Sequence, residues 1–119
     1  MPLSGADLIT AAKARIKEVD THDVQKMVAE GGQLVILDVR EPNETNLGHA
    51  TGAVVIPRGL LEGSIEAAIP RHAKVVIVCA SGNRSALAAD TMQQMGYTDV
   101  ASLRGGFKAW YAAGLPVQS

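Results

Sequence analysis

The chain holds one cysteine, Cys79, among 119 residues. It cannot close an internal disulfide, and one thiol is too few for a cysteine-based zinc site. With no disulfide to protect, a reducing, cytoplasmic compartment is the expectation. Aromatic residues are also scarce, at 3%, so the core must be built from Val, Ile, Leu, Ala and Met. Neither sign of charge is in excess: 11 Lys and Arg stand against 12 Asp and Glu, for a net charge of −1. That argues against nucleic acid or an anionic membrane as a general electrostatic partner, and leaves room for a local positive site. No run is long and apolar enough to span a bilayer. The first residues lack the basic start and apolar stretch of a signal peptide. The histidines His22, His49 and His72 show no metal-ligand spacing.

What remains suits one domain of ordinary size, with 47% apolar and 19% charged residues. Such a chain can bury a core without covalent staples. Residues 6–19 read as a helix, with Leu8, Ala12 and Ile16 spaced by four and Ile9 beside them. Ser4 or Asp7 is placed to cap it. Thr21 opens a second helix through Val24, Met27 and Val28, which Gly31-Gly32 ends. Leu34 to Leu37 is a short buried strand, followed by Asp38-Val39-Arg40-Glu41 and a turn at Pro42-Asn43. A polar loop runs through Gly48-His49-Ala50. Val54 to Ile56 is a small strand, and Leu60 to Ile69 a short helix closed by Pro70. Lys74 to Val78, apolar on both faces, reads as a central strand of a parallel sheet. Residues 84–95 form a helix, Val100 to Leu103 a last strand, and residues 107–113 a final helix. Strands and helices in alternation define an α/β domain with a mainly parallel sheet. Sites in such sheets lie beyond the carboxyl ends of the strands, where both Asp38-Val39-Arg40 and Cys79 fall.

The segment after the central strand carries the chemistry: Cys79-Ala80-Ser81-Gly82-Asn83-Arg84-Ser85. Gly82 and Asn83 tolerate unusual backbone dihedrals, so successive amide N–H groups can turn inward as an anion-binding nest. The helix that follows aims its N-terminus at the same point, and Arg84 can add a full positive charge. These surroundings favour the thiolate, the reactive form of cysteine. A buried structural cysteine is the plain alternative, but Ser81 to Arg84 have no use in packing a core.

With three further motifs, this loop resembles the single-domain rhodanese (sulfurtransferase) family. The motifs are Leu37-Asp38-Val39-Arg40-Glu41-Pro42; Gly48-His49-Ala50-Thr51-Gly52-Ala53 leading to Ile56-Pro57; and Leu103-Arg104-Gly105-Gly106-Phe107 with Trp110, Gly114 and Pro116. The resemblance covers about Val19 to Val117. It implies a rhodanese-like domain over residues 19–119, preceded by an N-terminal helical extension over residues 1–18. The implied architecture is a central, mainly parallel sheet of about five short strands with helices on both faces. The implied activity is ping-pong transfer of a sulfane sulfur. Cys79 takes it from a small anionic donor such as thiosulfate, holds it as a persulfide and passes it to a thiol or cyanide-like acceptor, or to a protein. The amides of Ala80, Ser81, Gly82, Asn83, Arg84 and Ser85 form the cradle, and Arg84 stabilises charge and binds the donor. No metal or organic cofactor is implied.

Four residues separate Cys79 from Arg84. Phosphatases of the same superfamily, and tyrosine phosphatases generally, have five there, a cradle sized for phosphate. Protein phosphatase activity is therefore the lesser alternative. A non-enzymatic binding module is another, although such members commonly lack the cysteine; a persulfide relay to a protein partner is a third. By the same resemblance Asp38 and Arg40 support the site structurally, with direct substrate contact by Arg40 the lesser option. Arg58 is either at the mouth of the pocket, attracting the donor, or an ordinary exposed arginine. His49 is expected to fix a turn, and Phe107 and Trp110 to anchor the last helix. The early helix packs on its own domain or, less simply, on a second copy; the oligomeric state stays open, as do the physiological donor and acceptor.

Overall fold

The computed structural model describes all 119 residues, Met1–Ser119. Five strands build one parallel sheet: β1 (Lys17–Val19), β2 (Leu34–Asp38), β4 (Val54–Val55), β5 (Lys74–Val78) and β6 (Val100–Leu103), in the order β1-β6-β5-β2-β4. β5 is central because its residues suit burial on both sides: Val75, Val76, Ile77 and Val78 are all shielded from solvent. Side chains alternate across the sheet and feed two cores. On one face, Val75, Ile77 and Val100 pack with α4 (Leu61–Ala68) and α5 (Asn83–Gln94) through Leu61, Ile65, Ala88, Ala89 and Met92. On the other, Val76, Val78, Ala101 and Leu103 pack with α2 (Thr21–Ala29) and α6 (Gly106–Ala112) through Val24 and Trp110. One turn of 3₁₀ helix, Arg58–Leu60, leads into α4.

The N-terminal segment departs from expectation. α1 (Gly5–Arg15) starts on a Ser4–Asp7 capping box but stops four residues short of Val19. Residues 17–19 instead form β1, registered against Ala101, Ser102 and Leu103 of β6. A sheet edge with unpaired backbone groups outcompetes helix continuation there, and three residues are too few to show a strand period. A boundary at residue 18 thus cuts through a strand of the main sheet. α1 lies on α5, with Ala12 fully buried and Leu8 left exposed. Arg15 grips Asp90 of α5 through two hydrogen bonds of 2.9 and 2.8 Å. The second helix is capped by Asp20, one residue before Thr21, through a reciprocal box with Asp23. A further ladder was not expected. β3 (His49–Ala50) pairs antiparallel with β7 (Val117–Gln118), so the polar 48–50 loop is stitched to the chain's last residues.

At the carboxyl end of β2, Asp38 and Arg40 are both buried. The Arg40 side chain meets Asp38 through Nε at 3.1 and 3.2 Å and through a terminal nitrogen at 2.8 Å. The same terminal nitrogen donates to the Gly48 carbonyl at 2.8 Å. The guanidinium also stacks over Phe107, 4.1 Å from the ring centroid. One cation thus ties β2, the turn before β3 and α6 together. Removing it strands a buried carboxylate. Arg40→Met should therefore lose about 3–5 kcal/mol of stability in urea unfolding, and Asp38→Asn in the same background should recover part of it.

Candidate active site

The reactive loop joins the central strand to α5. Cys79 directly follows β5, and Gly82, with φ of +111°, is the N-cap of α5. That dihedral reverses the chain after three residues, which a side chain at this position would resist. From behind, α6 holds the loop. The Phe107 N–H donates to the Cys79 carbonyl at 2.7 Å, and the Lys108 N–H to the Ala80 carbonyl at 3.4 Å. In a trans peptide the N–H points opposite to the C=O. Turning both carbonyls onto α6 therefore turns the Ala80 and Ser81 amides away from it, toward the front of the loop.

Gly106 makes this approach possible. Its φ is +58°, and a Cβ there would stand 2.6 Å from the carbonyl carbon and oxygen of Ala80 and collide with the Cys79 carbonyl. Gly106 is thus explained by contact with the nucleophile's own backbone, whereas Gly105, with φ of +80°, leaves no room for a Cβ beside Ala109.

Cys79 is only 1% exposed, and hydrogen bonds from within the loop hold its sulfur. The Gly82 N–H donates to it at 3.0 Å, and Ser85 Oγ lies 3.3 Å away. Ser85 Oγ is in turn 2.7 Å from Ser102 Oγ. Burial alone pushes the thiol up. The Ser85 hydroxyl and the amides of Ser85, Gly82 and Ser81 more than offset this, so its pKa falls below the ordinary cysteine value. The arrangement is a one-atom anion cradle around a polarised sulfur.

Arg84 does not stand free in this loop. Glu44, on the short α3 (Pro42–Thr45), takes both its terminal nitrogens at 2.7 and 3.0 Å. The Arg84 hydrogen bonds hold the Glu44 carboxyl at about 2, aided by the Glu41 amide and by the charges of Arg84 and Arg40, against the opposing effect of burial. Glu44 raises Arg84 in return, and the Cys79 charge adds to that.

Arg58, read from the sequence as either a pocket-mouth residue or an ordinary exposed arginine, is half-buried and turned elsewhere. It pairs with Glu62 one helical turn on and donates at 3.1 Å to Thr91, eight residues past the start of α5. That is about 12 Å along the helix axis from the loop. His49 lies 3.2 Å from the Thr45 carbonyl through Nδ1. Asn83 and Ser81 are exposed at the rim, while Gly82 and Ser85 are buried. Glu44 and Ser102 were not anticipated. The sign of Ser102 is its polarity in an otherwise apolar strand, Val100-Ala101-Ser102-Leu103. Glu44 carries no such sign, because it meets Arg84 only through the fold.

Comparison with known proteins places this geometry among relatives. Residues 20–113 match the model of the rhodanese-like domain. A sulfurtransferase of Allochromatium vinosum is 34% identical over 102 residues, covering 86% of this chain and 94% of that protein. The thiosulfate sulfurtransferase GlpE of Pseudomonas fluorescens is 32% identical over 97 residues, covering 82% and 86%. A solved structure from Rhodopseudomonas palustris superposes with a TM-score of 0.85 at 35% identity and 99% coverage of both chains. It is described as a protein of unknown function and a possible tyrosine phosphatase.

Two outcomes follow from the site. Gly106→Ala should cost at least about 2 kcal/mol in chemical denaturation, from the positive φ and the collision with the loop together. It should also slow alkylation of Cys79, because the loop must shift. For Glu44, the folded pKa is depressed from 4.5 to about 2, so the stabilisation is complete above about pH 4.5 and disappears as pH falls toward 2. The stability gap between wild type and Glu44→Gln, no more than about 1 kcal/mol for a partly exposed pair, should be constant above pH 4.5 and close across that window in urea titrations.

Proposed function

The chain belongs to the rhodanese-like domain family, and from that premise we propose that it is a sulfurtransferase carrying a sulfane sulfur on Cys79 as a persulfide. The observation that carries this reading is the cradle itself. The Cys79 sulfur sits under the Gly82 amide and the Ser85 hydroxyl in a loop with only four residues before Arg84. Such a loop offers hydrogen-bond donors to one further sulfur atom bearing negative charge.

In this mechanism the Cys79 thiolate attacks the outer sulfur of thiosulfate. A new S–S bond forms, the sulfur–sulfur bond of the donor breaks, and sulfite leaves with its electron pair. The terminal sulfur of the persulfide carries the negative charge, and the loop amides stabilise it. A nucleophile such as cyanide or a thiolate then attacks that terminal sulfur. It takes the sulfur as thiocyanate or as a new persulfide and returns Cys79 as the thiolate. Arg84 acts as an oriented ion pair with Glu44 rather than as a free cation. Asp38 and Arg40 hold the neighbouring turn and α6 in place. Arg58 has no part in this chemistry. No helix is long and apolar enough to cross a membrane; a cytoplasmic setting, with a small anionic donor and a thiol or protein acceptor, fits a thiolate that must stay reduced.

The description of the Rhodopseudomonas palustris protein as a possible tyrosine phosphatase favours phosphate-ester hydrolysis as a second reading. The short loop weighs against it. So does the state of Glu44, the carboxyl group beside Arg84, which is ionised and held in an ion pair and so is a poor proton donor to a leaving group.

Intact mass measurement after incubation with thiosulfate tests the proposal. The expected result is a gain of one sulfur, removed by cyanide with formation of thiocyanate, and lost in Cys79→Ser together with at least about a thousandfold of the turnover. No gain of sulfur, together with Cys79-dependent hydrolysis of an aryl phosphate, overturns it in favour of the phosphatase.

A further inference from the structure

β6 contains one polar residue, Ser102, and none of it reaches solvent. Its hydroxyl makes a single hydrogen bond, to Ser85 Oγ. Ser85 is equally buried and reaches on to Cys79 Sγ. A file of two hydroxyls therefore runs from the strand, through the first turn of α5, to the nucleophile. Each hydroxyl has one proton to place, and a buried donor without an acceptor is costly.

Two polarities can be drawn. In one, the Cys79 thiol donates to Ser85 and Ser85 donates to Ser102; the Ser102 proton then has no acceptor. In the other, Ser102 donates to Ser85 and Ser85 donates to the sulfur. Both hydroxyl protons are then used, and the sulfur gains a second hydrogen bond beside that from the Gly82 amide. Only the second satisfies every buried donor, and it requires a sulfur that accepts, as a thiolate does.

We propose that Ser102 is a positioning residue for the nucleophile: its buried hydroxyl donates to Ser85 and so commits the Ser85 hydroxyl to donating to the Cys79 sulfur. The role concerns the ionisation of Cys79 and holds whatever electrophile the thiolate attacks. The charged groups around the loop lie elsewhere. They are Arg84 with Glu44 and Glu41 against it, the Asp38–Arg40 pair on the β2 side, Arg104 after β6, and Lys108 on α6. Changing Ser102 alters none of them.

The test is the pH dependence of iodoacetamide alkylation, which reports Cys79 alone because the chain has no other thiol. It is run on wild type, Ser102→Ala, Ser102→Thr, Ser85→Ala and the Ser85→Ala/Ser102→Ala pair, with urea unfolding of the same samples. Ser102→Ala should move the midpoint to higher pH and slow alkylation about three- to tenfold at a fixed pH below the wild-type midpoint. Ser102→Thr keeps the hydroxyl and should keep the midpoint. In the Ser85→Ala background, Ser102→Ala should add nothing, because its effect passes through Ser85. A midpoint that Ser102→Ala leaves in place overturns the proposal, even if stability falls. So does a shift that adds in full to that of Ser85→Ala, or a folded Thr variant that behaves like the Ala variant.

Discussion

The carbonyl groups of Cys79 and Ala80 are turned onto the first amides of α6, and the reactive loop takes its orientation from that contact. Peptide planarity does the rest: amides opposite those carbonyls face forward. The contact needs Gly106, whose missing side chain lets two backbones meet. It also needs α6 held at the right height. Trp110 does this from below, buried in the second core with its indole N–H on the Pro116 carbonyl at 2.9 Å. Phe107 does it from the side, under the Arg40 guanidinium. The nucleophile is thus positioned from three directions: the strand before it, the helix after it, and a third element that touches only its backbone.

Charge in this site is used for shape more than for attraction. The arginine of the loop and the one at the end of β2 each have a carboxylate partner: Arg40 has Asp38 and Arg84 has Glu44. Neither pair leaves a free cation at the sulfur. The groups that hold the sulfur are dipoles, the Gly82 N–H and the Ser85 hydroxyl, fixed before any substrate arrives. Preorganised dipoles in a buried place need no rearrangement as charge moves onto the outer sulfur. An ion pair at the rim ties the first turn of α5 to α3 and adds no net charge of its own.

Much of this was legible in the sequence because it follows short-range rules. Lys74 to Val78 announces a central strand by being apolar on both faces, and the structure buries it so. The loop and its spacing from Arg84 can be read directly, and the α/β alternation follows from element lengths. Three things could not be read. β1 is three residues long, and its strand character is conferred by a partner near the other end of the chain. The β3–β7 ladder is two residues on each side, below any periodic signal. Arg84 looks free in the sequence, and only the fold brings up the carboxylate that claims it, Glu44 on α3. Pairings between distant residues, not local preferences, decide all three.

The β1–β6 pairing also has a meaning for how the chain comes to be folded. β1 is made well before its neighbour in the sheet and before α5, on which α1 rests. Until those later segments are made, α1 and β1 have no native surface to occupy. A parallel sheet assembled from such distant segments closes its long loops before the contacts repay them, which places it toward the slow end of folding for its size. The N-terminal edge of the sheet therefore gains its native surface only when α5 and β6 are present to receive it.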